Sequence, residues 1–195
     1  MLNKYPGLIS DGVGTFAGPK VRIHVSADAQ TLFHKARPVP HMMRSMIECE
    51  LDCLQSEGII SLVEYSNWAA PIAPILKADG TVHICGDYKM TINHYSKLDG
   101  FPLPKAEDLF TTLMGGQTFT KLDLTNASAQ MELADDSKPY ACINTHQGLC
   151  MYNRCPFGIH SAAPIFQHKM EDMIENCTKD IRISGQHSSD WQVTT

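Results

Sequence analysis

The chain has 195 residues, 43% apolar and 19% charged, and a net charge of −5. That length suits one domain with a buried core, and no apolar run approaches the ~20 residues of a membrane helix. A free-standing nucleic-acid binder is usually basic, so the charge excludes broad electrostatic binding and leaves room only for a local groove. The first residues, MLNKYPGLISDG, lack the apolar stretch of a signal peptide. The 7 cysteines are an odd number without a disulfide framework. They read as reduced thiols in an intracellular compartment, cytoplasmic or nuclear.

Residues 1–40 read as an irregular connector with short strands. Val21, Ile23 and Val25 alternate with Arg22 and His24, the period of a half-buried strand. Pro38 and Pro40 end it. From His41 the period lengthens: Met43, Met46, Ile47, Leu51 and Leu54 recur at three- and four-residue steps, and Gly58 follows. This predicts a helix over 41–57 with a Met-rich core face. Cys49 and Cys53, four apart on it, read as core cysteines. Two apolar runs, 73–77 and 82–86, flank Ala78-Asp79-Gly80-Thr81, a hairpin signal. Pro102 and Pro104 open a helix over about 105–114, with Glu107 and Asp108 in its first turn. A strand over 118–124 follows, then a meander at about 130–134, 139–145 and 149–155. The last element is a helix over 161–175. Ser161 would cap it, and Ile165, Phe166, Met170, Met173 and Ile174 would form its buried face. After Asn176 the pattern fades. Hairpins and helices interleave without β-α alternation, so the expected class is α+β.

Asp123 ends an apolar strand between Leu122 and Leu124. An ionised carboxylate there is costly unless a metal, a lysine or backbone N–H groups compensate it; a solvated strand end is the plainer alternative. The residue types of His146, Cys150, Cys155 and His160 suit zinc, but their spacing fits no common zinc module.

Four collinear blocks resemble the reverse transcriptase region of gypsy-type long-terminal-repeat retrotransposons and, more distantly, retroviral Pol polyproteins. KARPVP (35–40) leads into ELDCLQSEGII (50–60) with YSNWAAPIAPILKADGTVHICGDYKMTIN (65–93). FPLPKAEDLFTTLMGGQTFTKLDL (101–124) and CPFGIHSAAPIFQHKMEDMI (155–174) follow. The resemblance implies a partial right-hand polymerase fold. Fingers fall at about 41–97 and 131–160, an incomplete palm at about 98–130 and 161–176, and a divergent tail at 177–195. No thumb or ribonuclease H domain is expected in so short a tail.

The implied reaction is Mg²⁺-dependent addition of deoxynucleotides to a primer 3′-hydroxyl on an RNA or DNA template. By the same match Asp123 and the Leu124 carbonyl would hold Mg²⁺, and Asp180, in CTKDIRISG (177–185), would stand for the second carboxylate. Lys77, His83, Ser128, Phe157 and Gly158 match nucleotide-binding positions.

Three departures weaken the chemistry. Lys179 stands where the first of two adjacent Asp should be. At ~4 Å and an effective dielectric of ~20, one unit charge pair is worth ~4 kcal/mol, so a cation beside a divalent ion replaces attraction by repulsion. Ser128 stands where the family has an aromatic residue that excludes a ribose 2′-hydroxyl. His83 stands where a forked, permanently charged arginine usually grips the triphosphate. Asp180 is expected out of range of Asp123, because the link from Ile174 is short. The sequence therefore predicts a Pol-derived domain whose polymerase reaction is lost. The alternative is a non-catalytic, domesticated remnant that binds a protein or, weakly and through residues such as Lys77, Lys89 and Arg154, nucleic acid.

Overall fold

In the computed structural model the described residues are 12–97, 111, 114, 124, 126–175, 182–186 and 190–194; for 174, 175, 182–186 and 190–194 only the backbone is described. The helix expected over 105–114 and the strand over 118–124 fall almost entirely outside them, and so do Asp123 and Asp180.

Helix α1 spans His41–Ser56. Its helical spacing puts Ile47 and Leu51 one turn apart, and both are buried, while Met43, Met46 and Leu54 pack partly against the same core. The Met-rich face is thus a core face. The reading of Cys49 and Cys53 as core residues is corrected: both thiols are exposed. Each lies two positions past a buried residue, about 200° round the helix from it. Gly58 ends the helix with φ +69, a conformation that glycine adopts freely. Its N–H donates to Gln55 O and that of Ile59 to Leu54 O.

Five strands form one mixed sheet: β1 (Ile60–Val63), β2 (Ala70–Leu76), β3 (Val82–Gly86), β4 (Cys142–Thr145) and β5 (Gly148–Tyr152). Their order is β1-β5-β4-β2-β3. Every neighbouring pair is antiparallel except β2 and β4, which run parallel with Ala70 opposite Ile143. The chain is therefore a mixed α and β fold, with α1 packed on the β3 side. Two polar anchors cross the core. Tyr88 donates its hydroxyl to Ala141 O, and Tyr152 donates to Ile84 O, both at 3.3 Å. Burial raises both phenols far above their ordinary range, so each stays a donor.

Elsewhere the expected strands are shorter. Residues 127–130 form a 3₁₀ turn, entered at Asn126 with φ 49. Beyond it only single bridges form, Glu132 to Arg154 and Val21 to Leu133. Pro139, with no N–H to donate, helps start a 3₁₀ turn at Lys138–Ala141, so β4 begins only at Cys142. The alternation at 21–25 survives as burial of Val21 and Ile23 rather than as a continuous strand.

Helix α2 spans Ala162–Glu175 and buries Ile165, Phe166 and Met170. Two expectations about it are corrected. Met173 is exposed, because it lies beyond Met170 in the last turn of the helix. The Ser161 hydroxyl caps nothing; it is buried without a partner. The 177–195 tail, expected without pattern, pairs Arg182–Gln186 (β6) with Asp190–Thr194 (β7) as an antiparallel hairpin. Among the described residues no helix is long and apolar enough to cross a membrane.

Candidate functional site

A cleft of about 240 Å³ opens between α1, the β2–β3 hairpin, the turn at 126–129 and the segment 155–157. It gathers three of the expected nucleotide-binding residues, Lys77, His83 and Phe157. Gly158 is the next residue along, and Ser128 lies in the turn that forms one wall.

The hairpin presents Lys77. Lys77 N–H donates to Thr81 O at 2.8 Å, and Gly80 takes φ +83 to turn the chain. The Asp79 carboxylate accepts from the Thr81 hydroxyl at 2.7 Å and from its N–H at 2.9 Å. These bonds hold the Asp79 carboxyl below its usual range. Six residues on from Lys77, the His83 ring meets Phe157 edge-on, with centroids 5.0 Å apart and planes at 77°. Burial first, and the Lys77 charge second, lower the His83 pKa. The imidazole is neutral at pH 7 and cannot do the work of a guanidinium.

The opposite wall carries residues that the sequence reading missed. Glu50 and Cys53 of α1 and Glu57 at its C-terminal cap line the cleft, as does Asn126. The Glu50 carboxyl is raised by burial, lowered by Lys77 and raised again by Glu57. Lys77 therefore shares the cleft with two carboxylates, of which Glu50 feels its charge and competes with any phosphate. Helical spacing could have found this wall, since 50, 53 and 57 share one face. Asn126 also had a signal, because asparagine is enriched in the left-handed region it occupies.

The segment after β5 sets the floor. Gly158 has φ +94, and a Cβ there would stand 2.9 Å from Gly86 O and 3.4 Å from Tyr88 Cδ2. Glycine is required both for the turn and for the close approach of two backbones. Ser128 is buried with its hydroxyl unpartnered, between Asn126 and Ala129, which line the cleft. Leu124 is half-buried and packs against the core. Arg154, expected as a phosphate contact, is engaged elsewhere. Its guanidinium donates to Gly14 O, Ala129 O and Thr15 Oγ1 at 3.0–3.2 Å and straps the N-terminal segment to the core. Lys89 is exposed.

The four zinc-type residues serve other ends. Cys150 and Cys155 are buried, and burial pushes the Cys155 thiol up to about 12. His146 Nε2 lies 3.1 Å from Glu48 Oε1, and the His160 N–H donates to Asn93. Among the described residues no three His, Cys, Asp or Glu side chains are grouped to hold a metal ion. The two carboxylates expected to hold Mg²⁺, Asp123 and Asp180, lie outside the described residues.

The fold matches solved polymerase structures. The foamy viral protease-reverse transcriptase in complex with double-stranded DNA superposes with a TM-score of 0.84 at 20% identity, over 100% of this chain and 33% of that one. The same viral protein with an RNA/DNA hybrid gives 0.85. This is the fold of a reverse-transcriptase-like domain. No family model matches the chain, but sequence relatives do. It is 36% identical over 178 residues to the uncharacterized protein K02A2.6 of Caenorhabditis elegans, covering 90% of this chain and 14% of that protein. It is 27% identical to the retrovirus-related Pol polyprotein from transposon opus of Drosophila melanogaster, covering 89% and 18%. The transposon Tf2-3 polyprotein of Schizosaccharomyces pombe is 30% identical over 131 residues. The chain belongs with the reverse transcriptase-like part of retrotransposon Pol polyproteins, and it spans less than a fifth of the length of these relatives.

Proposed function

We propose that the chain is a fingers-and-partial-palm module that binds nucleotides weakly in the cleft and does not polymerise them. The observation that supports this is the convergence of Lys77, His83 and Phe157 on one cleft. Lys77 offers an ammonium to a triphosphate, and Phe157 offers an apolar face. Against them stand the neutral His83, the Glu50 and Glu57 wall, and Lys179 beside the proposed ligand Asp180. Asp123 and the Leu124 carbonyl remain the proposed metal ligands of the ancestral site, and Ser128, buried in the turn beside the cleft, stands where the family resemblance places an aromatic residue.

Template binding is weak for the same reason. With Arg154 occupied by backbone carbonyls, Lys77 and Lys89 are the local cations proposed to meet phosphate, each contributing ~0.7–0.9 to the log–log salt slope. Purified protein is expected to show no primer extension with Mg²⁺ or Mn²⁺, and to bind dATP about tenfold less well as Lys77→Ala, a difference of ~1.4 kcal/mol. Primer extension that disappears in Asp123→Asn would establish the enzyme instead. Equal dATP affinity of wild type and Lys77→Ala would remove the cleft from the proposal.

A further inference from the structure

We propose that Asn93 is a positioning residue of the cleft: its amide latches the backbone at residues 158 and 160 and thereby sets Phe157 against His83. The inference rests on the nucleotide reading only for its binding readout. Asn93 lies in a 3₁₀ turn, Ile92–His94, anchored by the fully buried Ile92. Its Nδ2 donates to Gly158 O at 2.7 Å, and its Oδ1 accepts from the His160 N–H at 3.1 Å. The two bonds reach 65 and 67 residues along the chain.

The chemistry specifies the residue type. One partner is an acceptor and the other a donor, so the side chain must offer both within one planar group. Aspartate would set a carboxylate oxygen against the Gly158 carbonyl. Alanine would leave both backbone groups to water. Glutamine carries the same group one methylene too far.

The latch acts where the segment has least support from regular structure. β5 ends at Tyr152 and α2 begins at Ala162. The near end of the connection is held by the Cys155 N–H donating to Met131 O, and the far end by the Ala162 N–H donating to Ile159 O. Between them Phe157 stands beside Gly158, whose close approach to Gly86 fixes distance but not rotation. The Asn93 amide supplies two directional bonds just beyond Phe157, one to the Gly158 carbonyl and one from the His160 N–H. Its influence reaches the cleft through Phe157; Asn93 touches no nucleotide.

The test uses the full chain. Histidine NMR follows the ring shift of His83 and its titration midpoint in wild type, Asn93→Ala, Asn93→Ser and the core control Ile47→Val. Loss of the latch lets Phe157 turn away and hydrates His83. Its midpoint should then rise toward the ordinary ~6.5 and its ring-current shift should shrink in Asn93→Ala. Asn93→Ser, which can make one of the two bonds, should fall between and serves as the readout if the alanine variant does not fold. Ile47→Val should lower Tm without moving either signal. An unchanged His83 signal in both Asn93 variants, with only Tm reduced, would overturn the proposal and leave Asn93 a structural residue. dATP titration is run in parallel, with binding expected about tenfold weaker in Asn93→Ala. If wild type binds no dATP, the nucleotide reading fails, while the His83 signal still decides the latch.

Discussion

Two glycine turns adjoin residues that line the cleft, Gly80 beside Thr81 and Gly158 beside Phe157, and they are built in opposite ways. At the hairpin tip, Gly80 takes φ +83, and a Cβ there would meet nothing within 4 Å. The partners of that turn are Asp79 and Thr81, its own neighbours. At the floor, Gly158 takes φ +94, and a Cβ would collide with Gly86 O, while Asn93 holds its carbonyl. The hairpin is a local structure that projects Lys77. The floor is a long-range structure whose shape depends on residues 65–72 positions away. The proposed nucleotide grip, made from both, would have one arm that survives damage elsewhere and one that does not.

The sharpest way to break this comparison is to place the same methyl group at both sites. Gly158→Ala should cost about 3 kcal/mol, combining a strained φ with overpacking against backbone. In a chain of this size that lowers Tm by roughly 6–12 °C in a thermal melt. Gly80→Ala meets only the strained φ and should cost about 1 kcal/mol. Equal losses would mean that the two turns do not differ as described.

A smaller effect separates the two arms by pH. The folded-state pKa of His83 is lowered, so the unfolded chain takes up the proton first. Its contribution to stability is complete above the unfolded value of ~6.5 and is lost as pH falls below it. Tm should drop between pH 7.5 and 5.5 more in wild type than in His83→Phe; parallel curves would show that His83 gains no burial from the floor. Smallest of all, Asp79→Asn should leave Tm nearly unchanged, because the carboxylate is exposed and its bonds stay within the turn. Thiol labelling offers an independent check of the fold. Cys49 and Cys53 should react with iodoacetamide in the native protein, while Cys142, Cys150 and Cys155 should wait for unfolding.

The sequence was most legible where structure is local. Helix α1, the Asp79-Gly80 hairpin, strand β5 and helix α2 all follow from periodicity and turn chemistry within a window of some fifteen residues. The family resemblance also carried Lys77, His83 and Phe157 to one place. What failed were side chains whose surroundings come from distant segments. Arg154 reads as a surface cation but is consumed by carbonyls at 14 and 129. Cys49 and Cys53 read as core residues but are exposed, Cys53 where α1 lines the cleft. Glu50 and Glu57 are spaced for one helix face, but the cleft they line exists only once the β2–β3 hairpin is laid beside them. Asn93 carried no signal at all, since its two partners are backbone groups that any sequence supplies.

The parallel pairing of β2 with β4 sets a timetable for synthesis. Ala70 leaves the ribosome some seventy residues before its partner Ile143, a delay on the order of 4–15 s at cellular translation rates. Through that interval the β2–β3 hairpin can form, yet a lone hairpin is only marginally stable in water, and the rest of its sheet has not been made. The apolar face of α1 waits with it. A nascent chain halted before Cys142 would hold the residues of the Lys77 arm and have no sheet to mount them on, so chaperone demand should peak there and fall once Tyr152 has emerged.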